Sequence, residues 1–471
     1  MAKEILYQKI AHIIEEQIFS ETLKIGDKLP SIRALQKLHN VSLNTVKQAF
    51  LELESKSLIE SRPKSGFYIS KTSNRKLSLP SMNKLKVSEN QVAPEDLITK
   101  VYKSLDDKSI TRFSLGVPDK SLLPIAKLNK GIIKAVRNFE ESGTSYESVQ
   151  GNANLRRNIA KWSIVLEGKL SEDDFVITSG AMNAIYNCLM AVTKRGDTIA
   201  IESPVYFGII QIAQTLGLNI IELPTHPTTG VDLDALKKVI HKIDVCCFMS
   251  NFSNPLGSLM PDESKKELVK MLTYYDIPLI EDDLYGNLFF GTVRPKPCKY
   301  FDEAGIVMWC GSVSKTLAPG YRVGWVAGGK FKDQIIRQKQ VQTICSPSIY
   351  QEVIADFLEH GRYDHHLRNF RSTLYTNALH FQRTVEDFFP ENTKISQPQG
   401  GTFLWLELDK NIDTAVLYDT AIKQKIGFAP GRIFTHHNQY NNCMRLNFAL
   451  EWTPKTESDL KRLGLLVKNA M

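Results

Sequence analysis

The chain has no long apolar run. Nowhere do about 18 uninterrupted apolar residues follow one another, the length a helix needs to cross a bilayer. Membrane-spanning helices are therefore not expected. Met1-Ala2-Lys3-Glu4-Ile5 carries an acidic residue and leads into an amphipathic pattern, in place of the apolar stretch and small-residue cleavage site of a secretory leader. Cysteine is scarce. The seven present (Cys188, Cys246, Cys247, Cys298, Cys310, Cys345, Cys443) form no CxxC pair and are odd in number, so neither a disulfide framework nor a zinc site is indicated and no metal is expected. Such usage suits a reducing compartment, and a cytoplasmic protein is expected. A strong excess of one charge is also missing: 59 Lys and Arg stand against 51 Asp and Glu, for a net charge of +8. That balance permits a polyanionic partner without locating it. At 471 residues, the chain is long enough for two or three domains with sizeable cores.

What is present first is a small helical module. Ile10, Ile13, Ile14 and Ile18 recur at helical spacing before Gly26 and Pro30 break the pattern. Ser31 is placed to cap a second helix burying Ile32, Leu35 and Leu38, and Ser42 to cap a third burying Val46, Ala49, Phe50 and Leu53. Only His39-Asn40-Val41 separates the two, the spacing of a helix-turn-helix, and the third helix turns Asn44, Thr45, Lys47 and Gln48 outward, where they can reach base edges. Strand-like runs at 58–62 and 67–70 flank Pro63-Lys64-Ser65-Gly66, a hairpin with a basic tip suited to a phosphate contact. Residues 1–75 hold twelve Lys or Arg and eight Asp or Glu, so half of the net charge lies in a sixth of the chain.

Asp27-Lys28-Leu29-Pro30-Ser31-Ile32-Arg33-Ala34-Leu35, Ser42-Leu43-Asn44-Thr45-Val46, Leu58-Ile59 and Lys64-Ser65-Gly66-Phe67 resemble the winged helix-turn-helix of GntR-type bacterial transcription factors. The resemblance covers roughly residues 4–70. It implies DNA contacts by Arg33, Ser42, Thr45, Lys47 and the wing from Lys64 to Gly66; Asn44 shares the outward face, and Arg62 stands at the base of the wing. The module is taken as residues 1–72. Residues 73–105 are rich in Lys, Ser and Asn, are interrupted by Pro80 and Pro94, and read as a linker that lets the two parts move independently, partly ordered against the larger domain at 106–471.

From Phe113 onward, apolar strand-like runs at 175–178, 198–202, 219–223, 245–249, 278–282 and 306–310 alternate with helical patterns. That alternation predicts an α/β domain with a mainly parallel sheet, whose ligand sits at the carboxyl ends of the strands. The last of these runs leads into Gly311-Ser312-Val313-Ser314-Lys315-Thr316-Leu317-Ala318-Pro319-Gly320-Tyr321-Arg322. A lysine crowded by apolar or cationic groups loses its proton more easily, so its amine can condense with a carbonyl as a Schiff base. Ser312, Ser314 and Arg322 suit the phosphate of the same cofactor, and the turn Ser179-Gly180-Ala181-Met182 offers backbone amides to it. Asp282 ends a buried strand, where a pyridinium nitrogen would partner its carboxylate. Tyr206 can stack on the ring and Asn254 and Tyr285 can bond its phenolic oxygen, while Arg445 in an apolar strand suits a carboxylate.

Ser312-x-x-Lys315 with Arg322, Asp282-x-x-Tyr285, Asn254-Pro255-x-Gly257, Pro204-x-Tyr206, Tyr146 with Gly151 and Leu155-Arg156, and Arg445 resemble fold-type I aminotransferases, from about Phe113 to the C-terminus. The resemblance implies pyridoxal 5'-phosphate bound at Lys315, Asp282 as pyridinium partner, and Tyr206 as stacking ring. Asn254 and Tyr285 become the phenolate ligands. Ser312, Arg322 and the Ala181-Met182 backbone become the phosphate site, and Arg445 the substrate-carboxylate anchor. It also implies a smaller C-terminal α+β subdomain and a homodimer in which Tyr146 reaches the neighbour's phosphate. Two departures stand out: Leu256 replaces the usual Thr, and Ala181 and Met182 offer the phosphate no side-chain donors.

Together the halves resemble the MocR class of bacterial regulators. Such a chain is expected to bind an operator with repeated half-sites and to sense an amino acid, an amine or pyridoxal phosphate itself. An aminotransferase carrying an appended DNA-binding module stays open as the alternative.

Overall fold

The computed structural model describes residues 6–20, 22–55, 58–62, 65–70, 77–83, 95–103, 107–138, 144–163 and 166–471. The N-terminal module consists of α1 (Leu6–Phe19), α2 (Ile32–His39), α3 (Leu43–Ser55) and an antiparallel hairpin of β1 (Ile59–Arg62) and β2 (Gly66–Ile69). Both expected caps form: Ser31 Oγ accepts from Ala34 N at 3.2 Å, and Ser42 Oγ from Thr45 N at 3.1 Å. Asn40 takes the left-handed conformation that ends α2, at φ 50°. Ile10, Ile14, Leu35, Val46, Phe50, Leu53, Ile59 and Ile69 close one small core. Leu38 departs from expectation and is 74% exposed, because a helix this short turns only Leu35 fully into that core.

The larger domain begins with α4 (Glu95–Lys103) and β3 (Thr111–Arg112), followed by α5 (Ile125–Asn138) and α6 (Ala153–Trp162). Its central sheet takes β4 (Phe175–Thr178), β5 (Thr198–Ser203), β6 (Asn219–His226), β7 (Gly230–Val231), β8 (Val245–Phe248), β9 (Leu279–Asp282), β10 (Val307–Ser312) and β11 (Gly324–Ala327) in the order β4-β11-β10-β9-β8-β5-β6-β7. Only β7 and β11 run against the rest, so the sheet is mainly parallel. The six apolar runs of the sequence all become strands because residues buried on both faces need no alternation. α7 (Ala181–Val192), α8 (Phe207–Thr215) and α11 (Lys332–Thr343) share one core with the sheet; α9 (Leu233–Val239) and α10 (Asp262–Tyr274) share another.

After α12 (Ser348–Glu359), the 27-residue α13 (Arg362–Phe388) leads into a smaller α+β subdomain. There, β12 (Lys394–Ile395), β13 (Phe403–Glu407), β15 (Ala429–Pro430) and β16 (Cys443–Asn447) form an antiparallel sheet, while β14 (Ile426–Gly427) pairs with β3; α14 (Thr414–Lys423) and α15 (Pro454–Asn469) complete it.

The segment read as a linker is partly built into this body. Ile395 N donates to Ser78 O at 2.9 Å and Ser81 N to Glu407 Oε2 at 2.6 Å. α4 buries Leu97, Ile98 and Val101, and Lys100 pairs with Asp419 at 3.0 Å. Nor does the winged module stand apart. Tyr375 Oη donates to Leu51 O at 3.3 Å, and Arg383 Nη2 to Glu54 O and Ile59 O at 2.8 and 2.6 Å.

Candidate cofactor site and DNA-binding face

The strand ends of the central sheet converge on a cavity of about 240 Å³, bordered by Lys315, Asp282, Arg322, Arg445, Tyr206, Tyr285, Asn254, Ala181 and Met182. Three consecutive carboxylates end β9 and its turn, and the fold gives each a different environment. Glu281 accepts from Cys298 N and Lys299 N at 2.6 and 3.0 Å, and Asp283 takes Arg294 Nη2 at 2.5 Å and Trp309 Nε1 at 2.9 Å. Asp282 alone faces the cavity. Burial pushes its carboxyl up to about 7, against the bond from Leu284 N at 3.2 Å.

Lys315 follows β10, the neighbour of β9, and its Nζ donates to Gly116 O at 2.5 Å. Burial, with the Arg445 and Arg322 cations adding to it, brings this amine down to about 8, although Asp282 opposes the shift. The deprotonated amine that attacks a carbonyl is therefore accessible near neutrality.

An anion site lies alongside. Arg322 holds φ 53° and donates from Nη1 to Ser314 Oγ at 3.2 Å and from Nη2 to Ser179 O at 3.1 Å. Its guanidinium lies against Gly180, which precedes the first turn of α7; a Cβ there would run into Arg322 Nη2, and φ is +89°. The turn thus requires glycine, and a side chain there would push the cation aside. Ser314 lines the cavity, whereas Ser312 lies behind it, donating to Val323 O at 2.7 Å and accepting from Ser314 N at 3.0 Å. Ser312 therefore orients Ser314 and does not face the cavity in this structure.

On the opposite wall, Arg445 reaches in from β16. It bonds Asn254 Oδ1 at 2.8 Å and Ser114 O at 2.5 Å, and stacks over Phe403 at 4.2 Å, but its buried Nε has no partner among the described residues. Burial lowers it to about 10. An unpaired donor on a buried guanidinium marks a place for an incoming acceptor such as a carboxylate. Tyr206 precedes α8 and Tyr285 packs on Phe403 with ring centres 5.5 Å apart; burial raises both phenols, so both stay protonated as donors.

Tyr146 lies elsewhere. It is 81% exposed and off the cavity wall, in the segment preceding α6. Sequence reasoning missed Tyr102, which α4 carries to the cavity, 5.8 Å from the Phe207 ring and bonded to Tyr206. Its signal was available: Leu97, Ile98 and Val101 at helical spacing after Pro94 mark an amphipathic helix.

On the winged module, Arg33, Ser42, Asn44, Lys47 and Gly66 are exposed and Thr45 is half-buried at the first turn of α3. The Arg62 side chain and Lys64 lie outside the described residues. Gly66 opens β2 at φ +107°, the left-handed geometry of a tight hairpin.

Residues 113–457 match the sequence profile of aminotransferase class I and II, and residues 6–69 that of the bacterial regulatory proteins of the gntR family. The chain belongs to the class I and II aminotransferase family, with a GntR-type domain ahead of it, which is the make-up of the MocR class of transcriptional regulators. Among its relatives are two proteins of Escherichia coli K12 described as uncharacterized HTH-type transcriptional regulators, YjiR and YdcR, at 32% and 33% identity; each alignment covers 99% of both chains. The α-aminoadipate aminotransferase of Thermus thermophilus, solved with N-(5'-phosphopyridoxyl)-L-leucine, superposes with a TM-score of 0.73 at 26% identity, covering 79% of this chain and 95% of that one.

Proposed function

We propose that this regulator binds pyridoxal 5'-phosphate through Lys315 and reads an amino acid or amine in the same cavity, changing operator binding as a result. The observation that carries this reading is the convergence of Lys315, Asp282, Arg322 and Arg445 on one cavity, in a chain whose α3 exposes a recognition face. The donor set fits the cofactor: the close approach at Gly180 brings Arg322 beside the α7 amides for a phosphate, and Arg445 Nε is free for a carboxylate.

When bound, pyridoxal phosphate supplies an aldehyde and an electron-withdrawing ring. The chain supplies the rest. Lys315 offers its amine, oriented by Gly116 O. Arg322, Ser314 and the Ala181 and Met182 amides hold the phosphate, with Ser312 bracing Ser314. Asp282 would hold the ring nitrogen, and a cation there would return its raised carboxyl toward the ordinary range. Tyr206 and Tyr285 donate as neutral phenols, and Arg445 turns the ligand's carboxylate into a fixed orientation.

The functional unit is a homodimer in this reading. The exposed Tyr146 and the exposed apolar Ile133, Val136 and Val341 leave surface for a second copy to cover. A dimer presents two α3 helices and so favours repeated half-sites in the cytoplasmic DNA it reads. Because Lys315, Asp282 and Arg445 are all kept, transamination with a keto acid is a second reading.

Reduction with borohydride after incubation with pyridoxal phosphate tests the assignment. Wild-type protein should gain the mass of one reduced cofactor per chain at Lys315, and Lys315→Ala should gain none at any site in the cavity. Labelling elsewhere, with Lys315 untouched, would rule the assignment out.

A further inference from the structure

α13 runs from the cofactor lysine to the DNA-binding module. Near its start, Tyr363 Oη lies 2.5 Å from Thr316 Oγ1, and His366 Nε2 lies 2.6 Å from Thr316 O; Thr316 is the residue after Lys315. Both side chains are buried. Further along, Asn377 Nδ2 donates to Phe448 O and Leu450 O at 3.0 and 2.7 Å, fastening the helix to the chain just beyond β16, which carries Arg445. Tyr375, midway along the helix, and Arg383, toward its end, bond the winged module. His366 and Arg383 lie about 26 Å apart at the rise of an α-helix.

The Arg383 contact has a specific chemistry. Glu54 lies in the last turn of α3, where helix carbonyls lack intrahelical donors and a cation is favoured. Arg383 Nη2 supplies a donor there from another domain, and the same nitrogen reaches Ile59 O at the start of the wing. The Glu54 side chain is itself buried at this junction and takes Ser61 N at 3.1 Å. Recognition helix and wing are thus held by one guanidinium on α13.

We propose that α13 is the docking surface of the DNA-binding module, and that its grip through Arg383 ties operator binding to the state of the Lys315 cavity. This rests on the regulatory reading above. A ligand shifts operator affinity only where the two arrangements of the module bind it unequally, and α13 bonds both the residue after Lys315 and the module.

The test is a thermodynamic cycle on full-length protein freed of cofactor. Its probes are pyridoxal phosphate and a DNA fragment selected from a random pool by the wild type. Wild-type protein is expected to change its DNA Kd at least fivefold on saturation with pyridoxal phosphate, the lower end of ordinary coupling of roughly 5–150-fold. Arg383→Gln is expected to bring that ratio to within about twofold of one, while pyridoxal phosphate affinity, followed by visible absorption, is unchanged. An unaltered ratio in Arg383→Gln overturns the proposal alone. No ratio in the wild type overturns the proposal and, with it, control of operator binding by the filling of Lys315. Should Arg383→Gln fail to fold, Tyr375→Phe removes the bond to Leu51 O and decides: a reduced ratio supports the coupling, and an unaltered one overturns it.

Discussion

Lys315 is the residue on which the proposed cofactor binding turns, and its surroundings set a pH dependence. The buried amine titrates at about 8, so it is mostly protonated below that pH and mostly free above it. Its capture of pyridoxal phosphate should accelerate about tenfold per unit from pH 6 to 7 and level off above about 8, as for any amine of that pKa. Stopped-flow absorption on cofactor-free protein measures it; a rate still climbing at pH 10 would mean an ordinary exposed lysine. The same burial favours the neutral amine in the folded state. The folded state thus releases this proton first, so the destabilising contribution is full below about pH 8 and fades as pH rises toward the ordinary lysine range. Arg445 invites a second test. Arg445→Lys keeps the charge but loses the fork, and should weaken an amino acid ligand by roughly 10–100-fold, about 1.5–3 kcal/mol for a charged hydrogen bond. Pyridoxal phosphate affinity should stay the same; a lysine variant that binds the amino acid equally well would remove Arg445 as the anchor.

At the scale of elements, the turn before α7 concentrates the constraint. Gly180→Ala should lower both thermal stability and pyridoxal phosphate affinity, because a positive-φ penalty of about 1 kcal/mol or more adds to the collision with Arg322. Gly168→Ala is the control: its φ is +74° but nothing lies near the added carbon, so only stability should fall. Equal cofactor affinity in the two variants would separate Arg322 from the phosphate site. The same scale shows how much could be read from the chain beforehand. Strands such as Val245–Phe248 and Val307–Ser312 were legible as unbroken apolar runs, and the caps Ser31 and Ser42 as hydroxyls ahead of helical periods. α4 left a weaker signal, because its polar flanks dilute the composition of the segment around it, although Leu97, Ile98 and Val101 keep helical spacing. Ser312 and Ser314 are two positions apart on an ending strand, and only the fold shows that one faces Val323 and the other the cavity. Which of Glu281, Asp282 and Asp283 faces the cavity is likewise fixed by neighbours remote in sequence, such as Arg294 and Cys298.

At the scale of the whole molecule, the arrangement joins a basic winged helix-turn-helix module to a cavity where Lys315, Asp282, Arg322 and Arg445 meet. The sequence shows both halves in order, but the contact between them depends on Arg383 meeting main-chain carbonyls of Glu54 and Ile59, a pairing that leaves no pattern in residue types. The most direct measurement is a titration of pyridoxal phosphate followed on one sample by visible absorption and by fluorescence anisotropy of a selected DNA fragment, for wild type and Lys315→Ala. The two wild-type signals should move together with a common midpoint, and the Lys315→Ala protein should bind the DNA with an affinity indifferent to the cofactor. An anisotropy that follows pyridoxal phosphate equally in both proteins, or that ignores it in both while Lys315 fills, would contradict a regulator governed from this cavity.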